Sequence, residues 1–131
     1  MNLTDYNEIR ALLARHKFRF SKSMGQNFLT AAWVPEDIAA SAMLDADTGV
    51  LEIGPGIGVL TNELLKRAEK VVAVELDKRL LPVLAETLAE YDNLKVINAD
   101  ILDLDLHTLI AEEFGGMDVV VCANLPHYIT S

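Results

Sequence analysis

Hydrophobic positions after residue 48 fall into short continuous runs separated by segments with helical spacing. Four apolar runs of strand length predict buried strands near residues 49–53, 71–75, 94–98 and 118–123. Three amphipathic segments lie between these runs and predict helices near residues 58–68, 78–90 and 105–114. Strands and helices that alternate in this way are typical of an open parallel sheet with right-handed crossovers. The pattern therefore predicts an α/β fold built on a parallel sheet.

The N-terminal third of the chain follows a different pattern. A cap residue, an acidic first turn and an apolar stripe predict a helix from Thr4 to about His16. Residues 17–29 have no helical period and mix basic, aromatic and small side chains, which predicts an ordered loop. A second helix is predicted from Pro35 to Leu44, because proline fits the first turn of a helix.

These patterns divide the chain into an N-terminal region, residues 1–48, and a sheet region, residues 49–131, within a single structural unit. Open sheets of this kind usually have about six strands. Because the chain stops at Ser131, just after the fourth strand, the apolar edge of that strand lacks a partner. We therefore expect a fold that is truncated after its fourth strand, and a chain that is a fragment of a longer protein.

Composition limits the classes of protein that the chain can belong to. Hydrophobic residues make up 51% and charged residues 24% of the 131 residues, as in ordinary globular domains. No apolar run is long enough to span a bilayer, and the first residues lack the pattern of a signal peptide. The single cysteine, Cys122, excludes an internal disulfide and is expected to be a small core residue. We therefore expect a cytoplasmic protein that does not contact a membrane.

The charge of the chain is distributed unevenly. The formal net charge is −9, which by itself argues against binding to nucleic acid. The first 30 residues, however, carry five basic and two acidic side chains. Such a basic strip could contact phosphate groups, although it is too small to hold RNA tightly by itself. Charge alone favours a solvated helix face and loop.

A glycine-rich turn follows the first predicted strand. Glu52 and three glycines at alternate positions, Gly54, Gly56 and Gly58, form the pattern E-x-G-x-G-x-G between a strand and a helix N-terminus. Glycines in such a turn permit positive φ and close approach of a nucleotide-like ligand. The dinucleotide fingerprint G-x-G-x-x-G would require glycine at the position of Val59, which argues against an NAD-binding domain.

Polar residues stand at the ends of the other predicted strands. Glu75, at the end of the second strand, is suited to accept hydrogen bonds from both hydroxyls of a ribose. Asp100 follows the third strand and could accept from an adenine amino group, while Ile101 could pack on the ring. Asn124 follows the fourth strand. Glu75 or Asp100 alone could be a capping or turn residue, but four polar strand ends in succession favour a ligand site beyond the carboxyl edge of the sheet.

The turn of Asn124, Leu125, Pro126 and His127 resembles the catalytic motif of methyltransferases that act on exocyclic amines of nucleobases. The nitrogen of such an amine is a weak nucleophile because its lone pair is delocalised into the ring. Asn124 Oδ1 and the Leu125 carbonyl could each accept one of its N–H groups and make the nitrogen more nucleophilic. Pro126 would hold these acceptors rigidly, and the planar His127 could stack on an extruded base.

Taken together, three motifs resemble the small-subunit ribosomal RNA adenine dimethyltransferases and their relatives, the macrolide-resistance rRNA methyltransferases. These motifs are Ser23–Leu29, Leu51–Thr61 and Asn124–Ile129. The resemblance implies a Rossmann-like, S-adenosylmethionine-dependent methyltransferase fold. It also implies cofactor contacts by Asn27, Leu29, Gly54, Glu75, Asp100 and Asn124, with the first two in a loop that closes over the cofactor.

The same resemblance implies a substrate. The family dimethylates adenines in a hairpin loop of small-subunit rRNA during ribosome assembly, so the expected partner is that rRNA or a pre-ribosomal small subunit. The resemblance implies neither a metal nor an oligomer.

Two departures from the family pattern keep other functions open. His127 stands where the family usually has tyrosine, and the family's remaining strands and C-terminal helical domain are absent. Both favour a non-catalytic RNA- or ribosome-binding relative, whereas the intact Asn124-Leu125-Pro126 disfavours it. A small-molecule methyltransferase would have a different turn after the fourth strand.

Overall fold

Four strands form one sheet in the computed structural model of the chain, which describes residues 6–16 and 46–123. The strands are β1 (Thr48–Ile53), β2 (Lys70–Glu75), β3 (Leu94–Asn98) and β4 (Asp118–Ala123). Each begins and ends within one residue of its predicted position. The agreement follows from the apolar runs, and the two inner strands, β1 and β2, are buried on both faces of the sheet.

Four α-helices are described: α1 (Tyr6–Arg15), α2 (Val59–Leu65), α3 (Leu81–Thr87) and α4 (Leu106–Phe114). The helix predicted at residues 35–44 and the loop predicted at residues 17–29 lie outside the described residues. Helices α1 and α4 have nearly the predicted bounds. Helices α2 and α3 are both shorter than predicted. A tertiary contact accounts for the end of α2, and a proline accounts for the start of α3.

Helix α2 ends at Leu65 because a side chain from elsewhere takes its terminal carbonyls. Asn93 Nδ2, from the turn before β3, donates to the carbonyl oxygens of Leu65 at 3.2 Å and Ala68 at 3.1 Å. Helix α3 begins late because Pro82 lies in its first turn, and a separate 3₁₀ turn, Lys78–Leu80, precedes it.

All strand pairs in the sheet are parallel, and the strand order is β3-β2-β1-β4. Strand β1 is therefore central, with Glu52 opposite Ala73 of β2 and Cys122 of β4. The carboxyl ends of all four strands meet at one edge, as predicted. Among the described strands β4 lies at the margin of the sheet, and its Val121 is 52% exposed.

Two apolar layers cover the sheet. On one face, residues of α2 and α3 pack against the strands, with Val50, Leu60, Leu64, Val71 and Leu84 almost fully buried. Cys122 is half-buried and packs against this layer, as expected of a small core residue. On the other face, Phe114 of α4 packs against Leu51, Val72 and Val74.

Helix α1 is anchored to α3. Leu12 is fully buried. Arg15 forms an ion pair with Glu86 of α3, and His16 Nε2 contacts the same carboxylate at 3.3 Å. Arg15, one of the basic residues of the N-terminal strip, is therefore held against α3. None of the described helices has the length and apolar character needed to cross a membrane.

Candidate functional site

The glycine turn has the backbone conformation that its sequence predicts. Gly54, Gly56 and Gly58 have φ values of 72°, 61° and 95°. A Cβ built on Gly58 would lie 3.1 Å from Leu88 Cδ1 and 3.2 Å from Thr87 Oγ1, so both conformation and packing require glycine there. A Cβ on Gly56 would meet nothing within 4 Å, so the turn faces open space at Gly56.

Hydrogen bonds from β2 and α3 fix the position of this turn. The backbone N–H of Gly54 donates to the Val74 carbonyl of β2 at 3.0 Å. The Thr87 hydroxyl of α3 donates to the Ile57 carbonyl at 3.0 Å and is buried. These two contacts fix the start and the end of the turn against different elements, so its open side is held in place before any ligand arrives.

Glu75 lies against the glycine turn. Its side chain is only 6% exposed, and its Oε1 accepts from the backbone N–H of Gly56 at 3.1 Å. Its Oε2 accepts from the backbone N–H of Asp77 at 2.8 Å. Each carboxylate oxygen can accept further hydrogen bonds, since a carboxylate has about four acceptor positions. The structure thus joins two sequence-predicted site elements directly.

Asp100 and Ile101 lie at the same edge of the sheet, after β3. Asn98 Nδ2 ties the ends of the two strands together by donating to the Glu75 carbonyl at 2.8 Å. Asp100 Oδ1 accepts from the backbone N–H of Leu102 at 2.9 Å, so Asp100 also serves as a turn cap. Ile101 is partly buried and packs against the apolar layer of α4.

Two further residues at this edge were not singled out as site residues from the sequence. Leu76, directly after Glu75, is 67% exposed although it is a large apolar residue. Glu52, within β1, is fully buried, and its Oε1 accepts a hydrogen bond from the Thr61 hydroxyl of α2. The sequence did contain a signal for each of them. Leu76 is an apolar residue that follows a carboxylate at a strand end, and Glu52 is an acidic residue inside an apolar strand.

The electrostatics of Glu52 are unusual. Its Oε2 has no hydrogen-bond partner within the part of the chain that the structure describes. Burial raises the pKa of Glu52 to about 7, and the negative charge of Glu75 acts in the same direction against the opposing Thr61 hydrogen bond. Near neutral pH, Glu52 is therefore present in both its protonated and its ionised form.

The remaining predicted site residues lie outside the described residues: Asn27, Leu29, Asn124, Leu125, Pro126 and His127. Their roles stay predictions. Among residues 6–16 and 46–123, no group of three or more His, Cys, Asp or Glu side chains could hold a metal ion.

The chain is similar in sequence to known rRNA methyltransferases. A curated relative, the ribosomal RNA small subunit methyltransferase A of Alkaliphilus metalliredigens, is 51% identical over 125 residues. That match covers 95% of this chain and 44% of the relative, so the chain spans less than half of the relative's length.

Solved structures agree with the α/β fold. The 23S rRNA methyltransferase ErmE matches with a TM-score of 0.61 and 36% identity, over 74% of this chain and 36% of that protein. A dimethyladenosine transferase from Plasmodium falciparum matches with a TM-score of 0.58 and 32% identity, over 74% of this chain and 33% of that protein. The prediction of a Rossmann-like methyltransferase fold is therefore confirmed.

The family model for ribosomal RNA adenine dimethylases matches residues 17–131, which include all three sequence motifs. This match covers most of the chain, and it agrees with the resemblance seen in the motifs themselves. The chain belongs to the ribosomal RNA adenine dimethylase family.

Proposed function

We propose that the protein transfers methyl groups from S-adenosylmethionine to the exocyclic amine of adenines in small-subunit rRNA. The observation that carries the proposal is the contact between Glu75 and Gly56. It places a buried carboxylate against an open glycine turn at the carboxyl edge of a parallel sheet, where nucleotide-like ligands bind in such folds.

The described residues fit the nucleoside part of S-adenosylmethionine. Glu75 retains acceptor positions for the two ribose hydroxyls while it accepts from Gly56 and Asp77. Asp100 offers a carboxylate to the adenine amino group. Leu76 and Ile101, which follow neighbouring strands, offer apolar surface for the two faces of the adenine ring.

The glycine turn fits the rest of the cofactor. Gly54 and Gly56 let the backbone approach the ligand without side chains, and the turn leads into the N-terminus of α2. When bound, the cofactor supplies a methyl group already activated on a sulfonium. Asn27 and Leu29 belong to the segment that we propose closes over it.

Asn124 and Leu125 prepare the acceptor. Their oxygens accept the two N–H groups of the target adenine, and Pro126 keeps them at fixed positions. The bound cofactor would supply the methyl group to this nitrogen, and the proton displaced from the nitrogen would pass to water. His127 stacks on the extruded base, which the active site must remove from its helix before reaction.

The substrate assignment rests on two observations. The relative at 51% identity is named a ribosomal RNA small subunit methyltransferase, while the 23S rRNA methyltransferase is 36% identical. The basic strip within residues 1–30 provides positive charge for an RNA backbone on an otherwise acidic chain. We propose that the methylation occurs on rRNA or a pre-ribosomal small subunit in the cytoplasm.

The test of this function uses an extended protein, defined as this chain joined to the remaining C-terminal length of the Alkaliphilus metalliredigens relative. Transfer of a labelled methyl group to immature small subunits, with label recovered in dimethyladenosine, is the expected result. A second candidate, a non-catalytic ribosome-binding relative, is favoured by His127. It predicts binding to the same particles with no transferred label.

A further inference from the structure

Glu52 is a buried group that the proposed chemistry does not use. It stands on the central strand β1, between Ala73 and Cys122 of the neighbouring strands, and its side chain is inaccessible to solvent. Thr61 satisfies one carboxyl oxygen, and the other has no partner among the described residues. A buried carboxyl group with an unsatisfied oxygen is costly, since burial removes its hydration.

No cation among the described residues compensates Glu52. The titratable groups that face it are Glu75 of β2, which is negative, and the Cys122 thiol of β4. The charged residue of α2, Glu63, pairs with Lys66 and Arg67, which directly follow the helix. The residues that α3 turns toward the core, Val83, Leu84 and Thr87, carry no charge. Helix α4 packs on the opposite face of the sheet.

Glu52 also lies close to the place where the cofactor is proposed to bind. It precedes Gly54 by two residues, and the charge of Glu75 acts on it while Glu75 itself contacts Gly56. A charge that a ligand brings to the glycine turn therefore acts on Glu52 through the same water-poor region. Electrostatic interactions are stronger there than in bulk water.

We propose that Glu52 distinguishes the charge of the cofactor, so that its buried carboxylate favours the cationic methyl donor over the neutral thioether product. The inference rests on the proposed use of S-adenosylmethionine. Donor and product share the adenosine, the α-amino group and the carboxylate. They differ by the methyl group and by the positive charge that the sulfonium loses when its methyl group leaves. A group that responds to this charge would hold the donor more tightly and release the product.

The proposal predicts that the affinity for the donor depends on pH more strongly than the affinity for the product. The donor favours the ionised form of Glu52, so its binding releases a fraction of a proton near neutral pH. The affinity ratio of donor to product is then expected to rise by roughly three- to tenfold from pH 6 to pH 8. Titration of groups common to both ligands cancels in this ratio.

Calorimetry on the 131-residue chain with S-adenosylmethionine and S-adenosylhomocysteine, at pH 6, 7 and 8, measures the ratio. Repeating it in buffers of different ionisation enthalpy measures the protons released. In Glu52→Gln the ratio is expected to be independent of pH while both ligands still bind. Glu112→Gln removes an exposed charge on α4 and is the matched control, expected to behave like the parent.

A second variant covers the case in which Glu52→Gln does not fold. Thr61→Val removes the hydrogen bond that opposes protonation of Glu52, and it is expected to move the change in the ratio to higher pH. Three results would overturn this inference but not the proposed function. The affinity ratio could be independent of pH in the parent, or it could keep its pH dependence in Glu52→Gln. Its change could also occur at the same pH in Thr61→Val as in the parent. If neither ligand binds the parent chain or the extended protein, the proposed function fails and the inference fails with it.

Discussion

The carboxylate of Glu75 accepts a hydrogen bond from the backbone N–H of Gly56 at 3.1 Å. This contact joins the end of β2 to the turn after β1, two elements that are adjacent in the sheet. Because Glu75 is buried and its second oxygen is bound by the N–H of Asp77, its orientation is set before a ligand arrives. Preorganised acceptors of this kind lower the entropic cost of binding.

Replacement of Glu75 tests its role toward the ribose. Glu75→Ala is expected to weaken S-adenosylmethionine binding about ten- to a hundredfold, or roughly 1.5–3 kcal/mol, because a charge-assisted hydrogen bond is lost. Calorimetry measures the affinity, with NAD as a ligand that is expected not to bind. Glu75→Gln keeps one acceptor oxygen and should lose less. Unchanged affinity in the alanine variant would remove Glu75 from the site.

The glycine turn allows conformation to be separated from packing. Gly56→Ala and Gly58→Ala each place a side chain at positive φ, which costs about 1–2 kcal/mol. Only Gly58→Ala also brings a Cβ within 3.1–3.3 Å of Leu88, Thr87 and Leu84, so it is expected to lower the free energy of unfolding by about 1 kcal/mol more. Urea denaturation of both variants measures the difference. Equal losses would contradict the packing role of Gly58.

The same pair separates stability from binding. Gly56 faces open space, so a methyl group there would meet the ligand rather than the protein. Gly56→Ala is therefore expected to lose more cofactor affinity, relative to its loss of stability, than Gly58→Ala.

Burial of Glu52 predicts a specific dependence of stability on pH. Its pKa is raised from an ordinary value of 4.5 to about 7, so the folded chain holds this proton more tightly than the unfolded chain. The associated stability is fully present below about pH 4.5 and is lost as pH rises through about 7. Relative to Glu52→Gln, the parent is expected to lose up to about 3 kcal/mol between pH 4.5 and 8.

Urea denaturation of parent and Glu52→Gln across this pH range measures the effect. Carboxyl groups with lowered pKa, such as Glu86 and Glu113, lose their stabilising effect at more acidic pH, and they do so equally in both proteins. Parallel pH profiles of the two proteins would show that Glu52 is already ionised in the folded chain.

The strands could be predicted from the sequence because their signal is local. A short continuous apolar run such as Val71–Val74 is typical of a strand that is buried on both faces of a sheet. The length of α2 could not be predicted, since it depends on Asn93, a residue that follows it by 28 positions. The contact of Arg15 with Glu86 joins residues 71 positions apart and is equally invisible in a local pattern.

The site divides in the same way. The position of Gly54, Gly56, Glu75, Asp100 and Ile101 at one edge of the sheet could be predicted, because strand order and strand ends determine which residues share an edge. Their roles toward a ligand stay predictions. Glu52 was part of the glycine pattern, but its unsatisfied oxygen arises only when α2 and the neighbouring strands pack over it. Burial of a whole group is a property of tertiary structure rather than of spacing.

His127 departs from the usual tyrosine, and its replacement tests the stacking role. If the side chain only stacks on the extruded adenine, His127→Tyr in the extended protein should preserve or increase methyl transfer, since base–aromatic stacking contributes about 1–3 kcal/mol and tyrosine offers a larger ring. Initial rates on immature small subunits measure this. A variant far less active than the parent would indicate chemistry that requires histidine.

The central claim, methyl transfer to adenine amines of small-subunit rRNA with Asn124 as an acceptor, is tested most directly by one comparison. The extended protein and its Asn124→Ala variant are incubated with labelled S-adenosylmethionine and immature small subunits, and dimethyladenosine is quantified. The expected result is labelled dimethyladenosine with the parent and a turnover lower by about 10² to 10³ with the variant, since a preorganised acceptor is lost. Transfer by the variant at the rate of the parent, or no transfer by a parent that binds the cofactor, would contradict the account.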